Sequence, residues 1–296
     1  MSFSVPAEFA PRVRQREPLS RHTSWHVGGP AELFFMPRDR EDLVAFLKAL
    51  PDDVPLLWLG LGSNLLVRDG GVRGVVISTR EALTGLARRG AREVYAEAGL
   101  PCAKLARACA GWDLGPAEFF SGIPGTVGGA LAMNAGAFHG ETWRQVRAVE
   151  TVDRHGEVRA RGAGEYHVGY RQVEAPVAGE WFLAATFHFE AGSSEAATRA
   201  LLERRRQTQP IGEWNCGSVF TNPPGDHAAR LIESAGLKGL RSGGAVVSTK
   251  HANFIINEGT ASARDIEALI QTVQREVERH HGRSLVPECR IVGEAA

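Results

Sequence analysis

The chain has 296 residues, of which 43% are hydrophobic and 23% charged, and its formal net charge is zero. The length suits roughly two domains of ordinary size, the composition is typical of a soluble globular protein, and the balanced charge gives no indication of a nucleic-acid-binding surface. No stretch reaches the roughly 20 apolar residues of a membrane span, and the N-terminal residues lack the apolar core of a secretory signal. Without a targeting segment, we predict a cytoplasmic protein with reduced thiols. The four cysteines match no zinc spacing and the ten histidines form no ligand pair, so we predict no metal site.

The first predicted unit, residues 18–79, combines strands with one helix. Apolar runs predict strands over 31–36, 56–59 and 75–77. Asp39 predicts the N-cap of a helix, because apolar residues follow it at helical spacing.

The second predicted unit, residues 80–192, is richer in strands. Residues 93–98, 146–152 and 181–189 predict strands. Pro101 predicts the start of a short helix, because proline is favoured in the first turn.

The third predicted unit, residues 193–296, begins with a helix that is a candidate linker. Its predicted elements are helices over 194–207 and 228–234, strands over 245–248, 253–256 and 289–292, and a long final helix capped by Ser262. Apolar residues recur along that last helix at the spacing of one buried face, namely Ile266, Leu269, Ile270, Val273 and Val277. We expect this face to pack in the core.

Two glycine-rich segments indicate a large phosphate-containing cofactor. Residues 121–136 hold a run of glycines leading into a short helix, where exposed backbone N–H groups would cradle pyrophosphate. Residues 60–64, Gly-Leu-Gly-Ser-Asn, follow a buried strand, although a plain turn explains that segment equally well. The cofactor-binding residues predicted from the two segments are Gly60, Gly62, Ser63, Asn64, Leu65, Gly122, Ile123, Pro124, Gly125, Gly128, Asn134 and Gly136. Neither segment matches the dinucleotide fingerprint or the P-loop.

Three further residues are candidates for chemistry, each with a plainer alternative. Ser218 lies in a loop outside any nucleophile elbow, so a structural serine is the alternative to a proton donor. Arg171 would by itself be a surface arginine. Glu288 enters a buried strand, where a carboxylate needs a partner or a raised pKa, and an ordinary ion pair is the alternative to a functional role.

The run Arg204 to Arg206 is either a phosphate contact or the solvated end of a helix.

The chain resembles the UDP-N-acetylenolpyruvoylglucosamine reductase family from about Leu19 to Gly293. The matching segments, in chain order, are 23–31 (TSWHVGGPA), 60–64 (GLGSN), 121–136, 169–171 (GYR), 217–223 (GSVFTNP), 231–239 (LIESAGLKG), 250–253 (KHAN) and 287–290 (PECR). So many ordered matches form a specific signal that none of them gives alone.

The resemblance implies an α+β fold, in which a two-part FAD-binding unit of the FAD-linked oxidase type is followed by a C-terminal α/β substrate-binding domain. It implies non-covalent FAD, with NADPH as the co-substrate, although the sequence itself does not distinguish NADPH from NADH. Hydride would pass from flavin N5 to the vinyl carbon of UDP-N-acetylglucosamine enolpyruvate and a proton to the neighbouring carbon, giving UDP-N-acetylmuramate for peptidoglycan synthesis.

The resemblance also implies roles for individual residues. Arg171 would clamp the carboxylate, Glu288 would share that role if protonated, and Ser218 would supply the proton. Predicted substrate-binding residues that match family positions are Tyr170, Asn222 and Arg290. Arg230, Lys238 and His251 are predicted phosphate contacts on the basis of charge and nearness to the motifs.

The chain also departs from the family pattern. No tyrosine follows Tyr170, so the chain resembles the shorter subclass without a tyrosine lid. His26, Thr208 and Thr221 stand where cations are common, and the arginine run at 204–206 is a candidate to compensate.

Two other function classes remain as alternatives. One is an FAD-linked oxidase of the same fold, and the other is a flavin- or nucleotide-sugar-binding module without catalysis. Neither cofactor segment contains a histidine or cysteine that could tether the flavin, although His139 lies just beyond the second. We predict a nucleotide-sugar substrate and no nucleic-acid, membrane or obligate protein partner.

Overall fold

The computed structural model describes residues 5–193 and 195–296. Within them, the α-helices are α1 Arg40–Ala49, α2 Cys102–Gly111, α3 Val127–Ala132, α4 Glu195–Thr208, α5 Ala228–Ser234 and α6 Ala263–His281. The strands are β1 Val13–Pro18, β2 Pro30–Phe35, β3 Leu56–Leu59, β4 Leu65–Val67, β5 Val72–Ser78, β6 Leu86–Arg89, β7 Glu93–Glu97, β8 Leu114–Gly115, β9 Gly136–Ala137, β10 Gly140–Glu141, β11 Val146–Asp153, β12 Val158–Gly162, β13 His167–Gly169, β14 Gln172–Glu174, β15 Glu180–His188, β16 Glu190–Ala191, β17 Arg241–Ser242, β18 Ala245–Val247, β19 Ile255–Asn257 and β20 Arg290–Val292. No helix of this part of the chain is both long and apolar enough to cross a bilayer.

The chain divides into two compact units. The first unit comprises the chain up to Gln15 with Leu33–Leu61 and Gly74–Glu203, and the second comprises Arg16–Glu32, Gly62–Arg73 and Arg204–Ala296. Two short segments from the N-terminal part of the chain therefore belong to the C-terminal unit.

The first unit contains two hydrophobic cores. One is built around α1 and includes Phe35, Phe46 and Ile77, and the other is built around α2 and α3 and includes Leu105 and Phe187. The second core lies against the antiparallel sheet β12-β11-β15-β7-β6. The core around α1 also includes Val152 and Leu183 from residues 80–192, and the division into 18–79 and 80–192 subdomains stays a prediction.

The second unit has one core, in which α6 packs on the antiparallel sheet β17-β18-β19. The predicted apolar face of α6 is buried at every position, namely Ile266, Leu269, Ile270, Val273 and Val277. Ser262 caps this helix by accepting a hydrogen bond from the Asp265 N–H, as the sequence predicts. In the same unit, β20 pairs in parallel with β4, so the end of the chain is hydrogen-bonded to residues 65–67.

Candidate active site

Gly60 and Thr126 bring the two predicted cofactor segments together within the first unit. A Cβ on Gly60 would lie 2.6 Å from the Thr126 hydroxyl oxygen, which caps α3 by accepting from the Gly129 N–H at 3.4 Å. Real Cβ atoms do not approach this closely, so only glycine fits at position 60 while Thr126 keeps its place. The two segments therefore share a surface, as expected for parts of one cofactor site.

Other glycines of the second segment are required by packing. A Cβ on Gly122 would lie 2.7 Å from the Ala137 Cβ, and one on Gly128 would lie 2.9 Å from the Ala98 Cβ. At Gly136 it would lie 2.3 Å from a backbone carbonyl. Close packing within the chain therefore accounts for many of the glycines that we attributed to ligand binding from the sequence.

The start of α3 does not offer the exposed N–H groups that we predicted. The first three N–H groups of α3 already have partners inside the first unit: Val127 donates to the Leu100 carbonyl at 2.8 Å, Gly128 to the Ala98 carbonyl at 2.8 Å and Gly129 to the Thr126 side chain at 3.4 Å. The prediction that exposed N–H groups here bind pyrophosphate was therefore wrong for Val127, Gly128 and Gly129.

The Arg171 side chain is hydrogen-bonded to the second cofactor segment. Its guanidinium donates from Nη1 to the Asn134 carbonyl at 3.2 Å and from Nη2 to the Gly136 carbonyl at 2.9 Å. Asn134 is almost fully buried, and its side chain accepts from the Trp143 N–H and donates to the Gly169 carbonyl. Asn134, predicted as a cofactor contact, thus holds the hairpin that carries Arg171.

That hairpin joins β13 to β14 through a turn formed by Tyr170 and Arg171. Arg171 has a φ of 57°, a left-handed conformation that is unfavourable for most residues other than glycine. The Tyr170 ring is exposed and lies 5.0 Å from the Arg171 guanidinium carbon. Backbone strain of this kind is concentrated at functional sites.

In the second unit, Ser218 and Glu288 lie on neighbouring segments. The Glu288 N–H donates to the Val219 carbonyl at 2.7 Å, and Phe220 and Pro287 form a bridge beside it. Gly217, with a φ of 83°, turns the chain immediately before Ser218. Both Ser218 and Glu288 are half-buried.

Asn253 fixes the segment that carries Ser218, and no role was predicted for it. Its buried side chain accepts from the Phe220 N–H at 3.0 Å and donates to the Phe220 carbonyl at 2.8 Å. Its own carbonyl accepts from the Val219 N–H at 2.9 Å. The Lys-His-Ala-Asn motif at 250–253 contained the only available signal.

Two buried thiols lie close to Glu288. Cys216 and Cys289 are buried, and burial raises the pKa of the Cys216 thiol well above its ordinary value, with Cys289 and Glu288 nearby adding to the effect.

The first predicted cofactor segment is divided between the units. Gly60 belongs to the first unit and Gly62 to Leu65 belong to the second. Gly62 has a φ of 62°, and a Cβ there would lie 2.0 Å from the His22 carbonyl oxygen. Asn64 donates from its side chain to the Glu288 carbonyl at 3.0 Å.

Three of the predicted substrate-binding residues have partners within the second unit. Asn222 accepts from the Ala228 N–H at the start of α5. Arg230 forms an ion pair with Asp226, and Lys238 forms one with Glu233 at 2.6 Å. The side chain of Arg290 is exposed, and its N–H donates to the Asn64 carbonyl.

His251 is not the cation that its prediction assumed. Burial lowers its pKa from the ordinary value of 6.5, and the nearby Lys238 adds to this effect. Its Nδ1 accepts from the Asn253 N–H at 3.3 Å. At neutral pH the ring is therefore uncharged and offers Nε2–H as a donor.

The three departures from the family pattern have local roles. His26 stacks on the Trp214 ring with the centroids 4.4 Å apart. Thr208 donates its hydroxyl to the Arg204 carbonyl, and Thr221 donates to the Val286 carbonyl.

Comparisons with known proteins match both parts of this arrangement. Residues 209–292 match the C-terminal domain of UDP-N-acetylenolpyruvoylglucosamine reductase, and residues 31–161 match an FAD binding domain. The UDP-N-acetylenolpyruvoylglucosamine reductase of Alkalilimnicola ehrlichii is 61% identical over 96% of this chain and 95% of its own length, and that of Methylococcus capsulatus is 57% identical over 95% and 93%. The chain belongs to the UDP-N-acetylenolpyruvoylglucosamine reductase family.

A solved structure of the family extends this result to the fold. The crystal structure of the Thermus caldophilus reductase matches with a TM-score of 0.81 and 35% identity, over 95% of this chain and 98% of that one. The resemblance found in the sequence, the α+β fold class and the FAD-binding part are therefore confirmed. As a member of this family, the protein is an FAD-dependent oxidoreductase.

Proposed function

We propose that the protein uses NADPH and bound FAD to reduce the enolpyruvyl group of UDP-N-acetylglucosamine enolpyruvate, giving UDP-N-acetylmuramate. The observation that supports this most directly is the pairing of the Ser218 and Glu288 segments through the Glu288 N–H and the Val219 carbonyl. It puts a hydroxyl and a carboxyl group on adjacent segments, as expected for a site that delivers a proton and binds a developing anion.

The contact of Gly60 with Thr126 brings the two glycine segments together within the first unit, and glycine-rich loops of this kind allow the close approach of a large cofactor. Within the first unit, the residues that would hold FAD are Gly60 and the second glycine segment, in which Ile123, Pro124 and Gly125 directly precede Thr126. When bound, FAD supplies the hydride that it has taken from NADPH.

Arg171 would bind the substrate carboxylate. Adding hydride to the enolpyruvyl group pushes negative charge into that carboxylate and gives an enolate. The two bonds to backbone carbonyls fix the orientation of the guanidinium, and a planar guanidinium matches the geometry of a carboxylate. A preoriented cation stabilises developing charge without reorganising during the reaction.

Ser218 would donate its hydroxyl proton to the enolate carbon, forming the new C–H bond. A serine hydroxyl is a weak acid, but an enolate carbon is a strong base, so the transfer is reasonable. Glu288, in its protonated form, would donate a hydrogen bond to the same developing charge.

We infer that the protein is cytoplasmic. All four cysteines are free thiols, which agrees with a reducing, cytoplasmic environment. The nucleotide sugar would bind without an obligate protein partner.

The test is NADPH oxidation by the flavin-loaded protein under anaerobic conditions, with and without the enolpyruvyl UDP-sugar. We expect sustained turnover only with the sugar and formation of UDP-N-acetylmuramate. Consumption of one equivalent of NADPH followed by a stop, even with the sugar, would contradict the proposal, and admitting oxygen would then test an oxidase.

A further inference from the structure

The structure separates the three arginines at the end of α4. Arg204 and Arg206 are exposed, whereas Arg205 is partly buried. In the sequence the three form one run, which is either a phosphate contact or the solvated end of a helix. Burial now distinguishes Arg205 from its two neighbours.

Arg205 lacks a compensating charge. Its Nε donates to the side-chain oxygen of Gln209 at 2.8 Å, and within the described part of the chain it forms no ion pair with a carboxylate. Burial lowers the pKa of Arg205 from its ordinary value of 12.5. Removing a guanidinium from water without an anion beside it is unfavourable. A bound anion would offset this cost.

The end of α4 is attached to the segment that holds Ser218 in place. Lys250 donates from Nζ to the Arg206 carbonyl at 2.6 Å. Three residues further on, Asn253 binds both the N–H and the carbonyl of Phe220. Arg205 thus belongs to the same unit and the same connected set of segments as the proposed proton donor.

The other cations predicted to bind phosphate are engaged elsewhere. Arg230 is paired with Asp226, Lys238 is paired with Glu233, and His251 is neutral at neutral pH. A phosphate bound by Arg230 or Lys238 would have to displace a carboxylate, whereas Arg205 has none to displace.

We propose that Arg205 binds the diphosphate of the substrate's UDP moiety. The inference rests on the proposed function, since it requires a UDP-sugar substrate. With Nε held by Gln209, the two terminal nitrogens form a planar pair of donors that matches two phosphate oxygens. The charge of the diphosphate compensates the partly buried guanidinium, and the arginine orients the sugar for the chemistry at Ser218.

The test compares the binding of uridine and UDP to the FAD-loaded enzyme by isothermal titration calorimetry. Arg205→Gln should weaken UDP binding by about 10- to 100-fold, as expected for loss of charge-assisted hydrogen bonds. It should leave uridine binding within about twofold, because uridine has no phosphate. Arg204→Gln, which removes the same charge from the same helix, should leave both affinities near wild type.

Arg205→Lys separates binding from folding, because it keeps the charge and loses the planar pair of donors. We expect intermediate UDP affinity with unchanged flavin content and melting temperature. Unchanged UDP affinity in Arg205→Gln, or equal losses of uridine and UDP affinity, would overturn the inference. The proposed function would still be supported if the wild type turns over the enolpyruvyl UDP-sugar. A wild-type enzyme that neither binds UDP nor turns over the sugar would overturn both.

Discussion

The side-chain amide of Asn64 donates a hydrogen bond to the backbone carbonyl of Glu288, 224 positions further along the chain, at 3.0 Å. The Arg290 N–H returns a bond to the Asn64 carbonyl at 2.9 Å. Asn64, which we predicted from the sequence as a cofactor contact, thus fixes the backbone on both sides of Cys289 and so helps to set the position of Glu288.

Asn64→Ala should therefore affect catalysis through Glu288. We expect a loss of about 1 kcal/mol in unfolding free energy, the usual effect of removing one hydrogen bond, and a lower kcat with the enolpyruvyl UDP-sugar. Urea denaturation and steady-state kinetics measure the two effects. Wild-type kcat in a correctly folded variant would contradict this role.

Ser218→Ala should divide the reaction into its two halves. Reduction of the bound flavin by NADPH needs no proton from Ser218 and should keep its rate. Reoxidation by the enolpyruvyl UDP-sugar should slow by roughly 100-fold or more, the usual contribution of a positioned acid. Stopped-flow absorbance of the flavin measures both steps, and full turnover by the variant would exclude Ser218 as the proton donor.

Arg171 can be tested with two substitutions that preserve different features. Arg171→Lys keeps the charge but not the planar donors, and Arg171→Asn tolerates the left-handed turn but has no charge. We expect kcat/KM for the sugar to fall by about 30- to 100-fold in Arg171→Lys and further in Arg171→Asn. Flavin content should not change, and near-normal kcat/KM in Arg171→Lys would argue against a bidentate clamp.

Gly60→Ala and Gly129→Ala form a matched pair on the two sides of Thr126. The new Cβ would lie 2.6 Å from the Thr126 hydroxyl oxygen at position 60, but 3.8 Å from it at position 129. Gly60→Ala should therefore displace the segment, cost about 1–3 kcal/mol and reduce the FAD content of the purified protein. Gly129→Ala should be neutral or stabilising by up to about 1 kcal/mol, because alanine favours the helix. Equal FAD content in both variants would mean that this contact does not shape the cofactor site.

Local signals allowed much of the fold to be predicted. Asp39 accepts from the Asp42 N–H at the start of α1, and Ser262 does the same for α6, because a cap depends only on residues three positions apart. The same holds for the buried face of α6, which follows from its periodicity.

Contacts between distant segments could not be predicted. Nothing near residues 62–73 indicates that they join the C-terminal unit, since the pairing of β4 with β20 links segments more than 200 residues apart. The motifs gave Arg171, Ser218 and Glu288 as candidates, but the backbone bonds that orient them depend on long-range packing. By contrast, the pairing of Arg230 with Asp226, four residues before it, was available from spacing alone and was missed.

Glu180 should make the stability of the first unit depend on pH in the acid range. Its buried carboxylate accepts two hydrogen bonds from Arg161 and one from Thr151, and these contacts hold its pKa below the ordinary value of 4.5. Because the pKa is lower in the folded state, the stabilisation is fully present above about pH 4.5 and is lost as the pH falls through the lowered value. Glu180→Gln should cost about 2 kcal/mol at pH 7 and flatten the loss of stability below pH 4.5. Urea denaturation between pH 3 and 7 measures both effects, with the exposed Glu157→Gln as the control. A wild-type acid profile in Glu180→Gln would show that this ion pair does not set the acid limit of the fold.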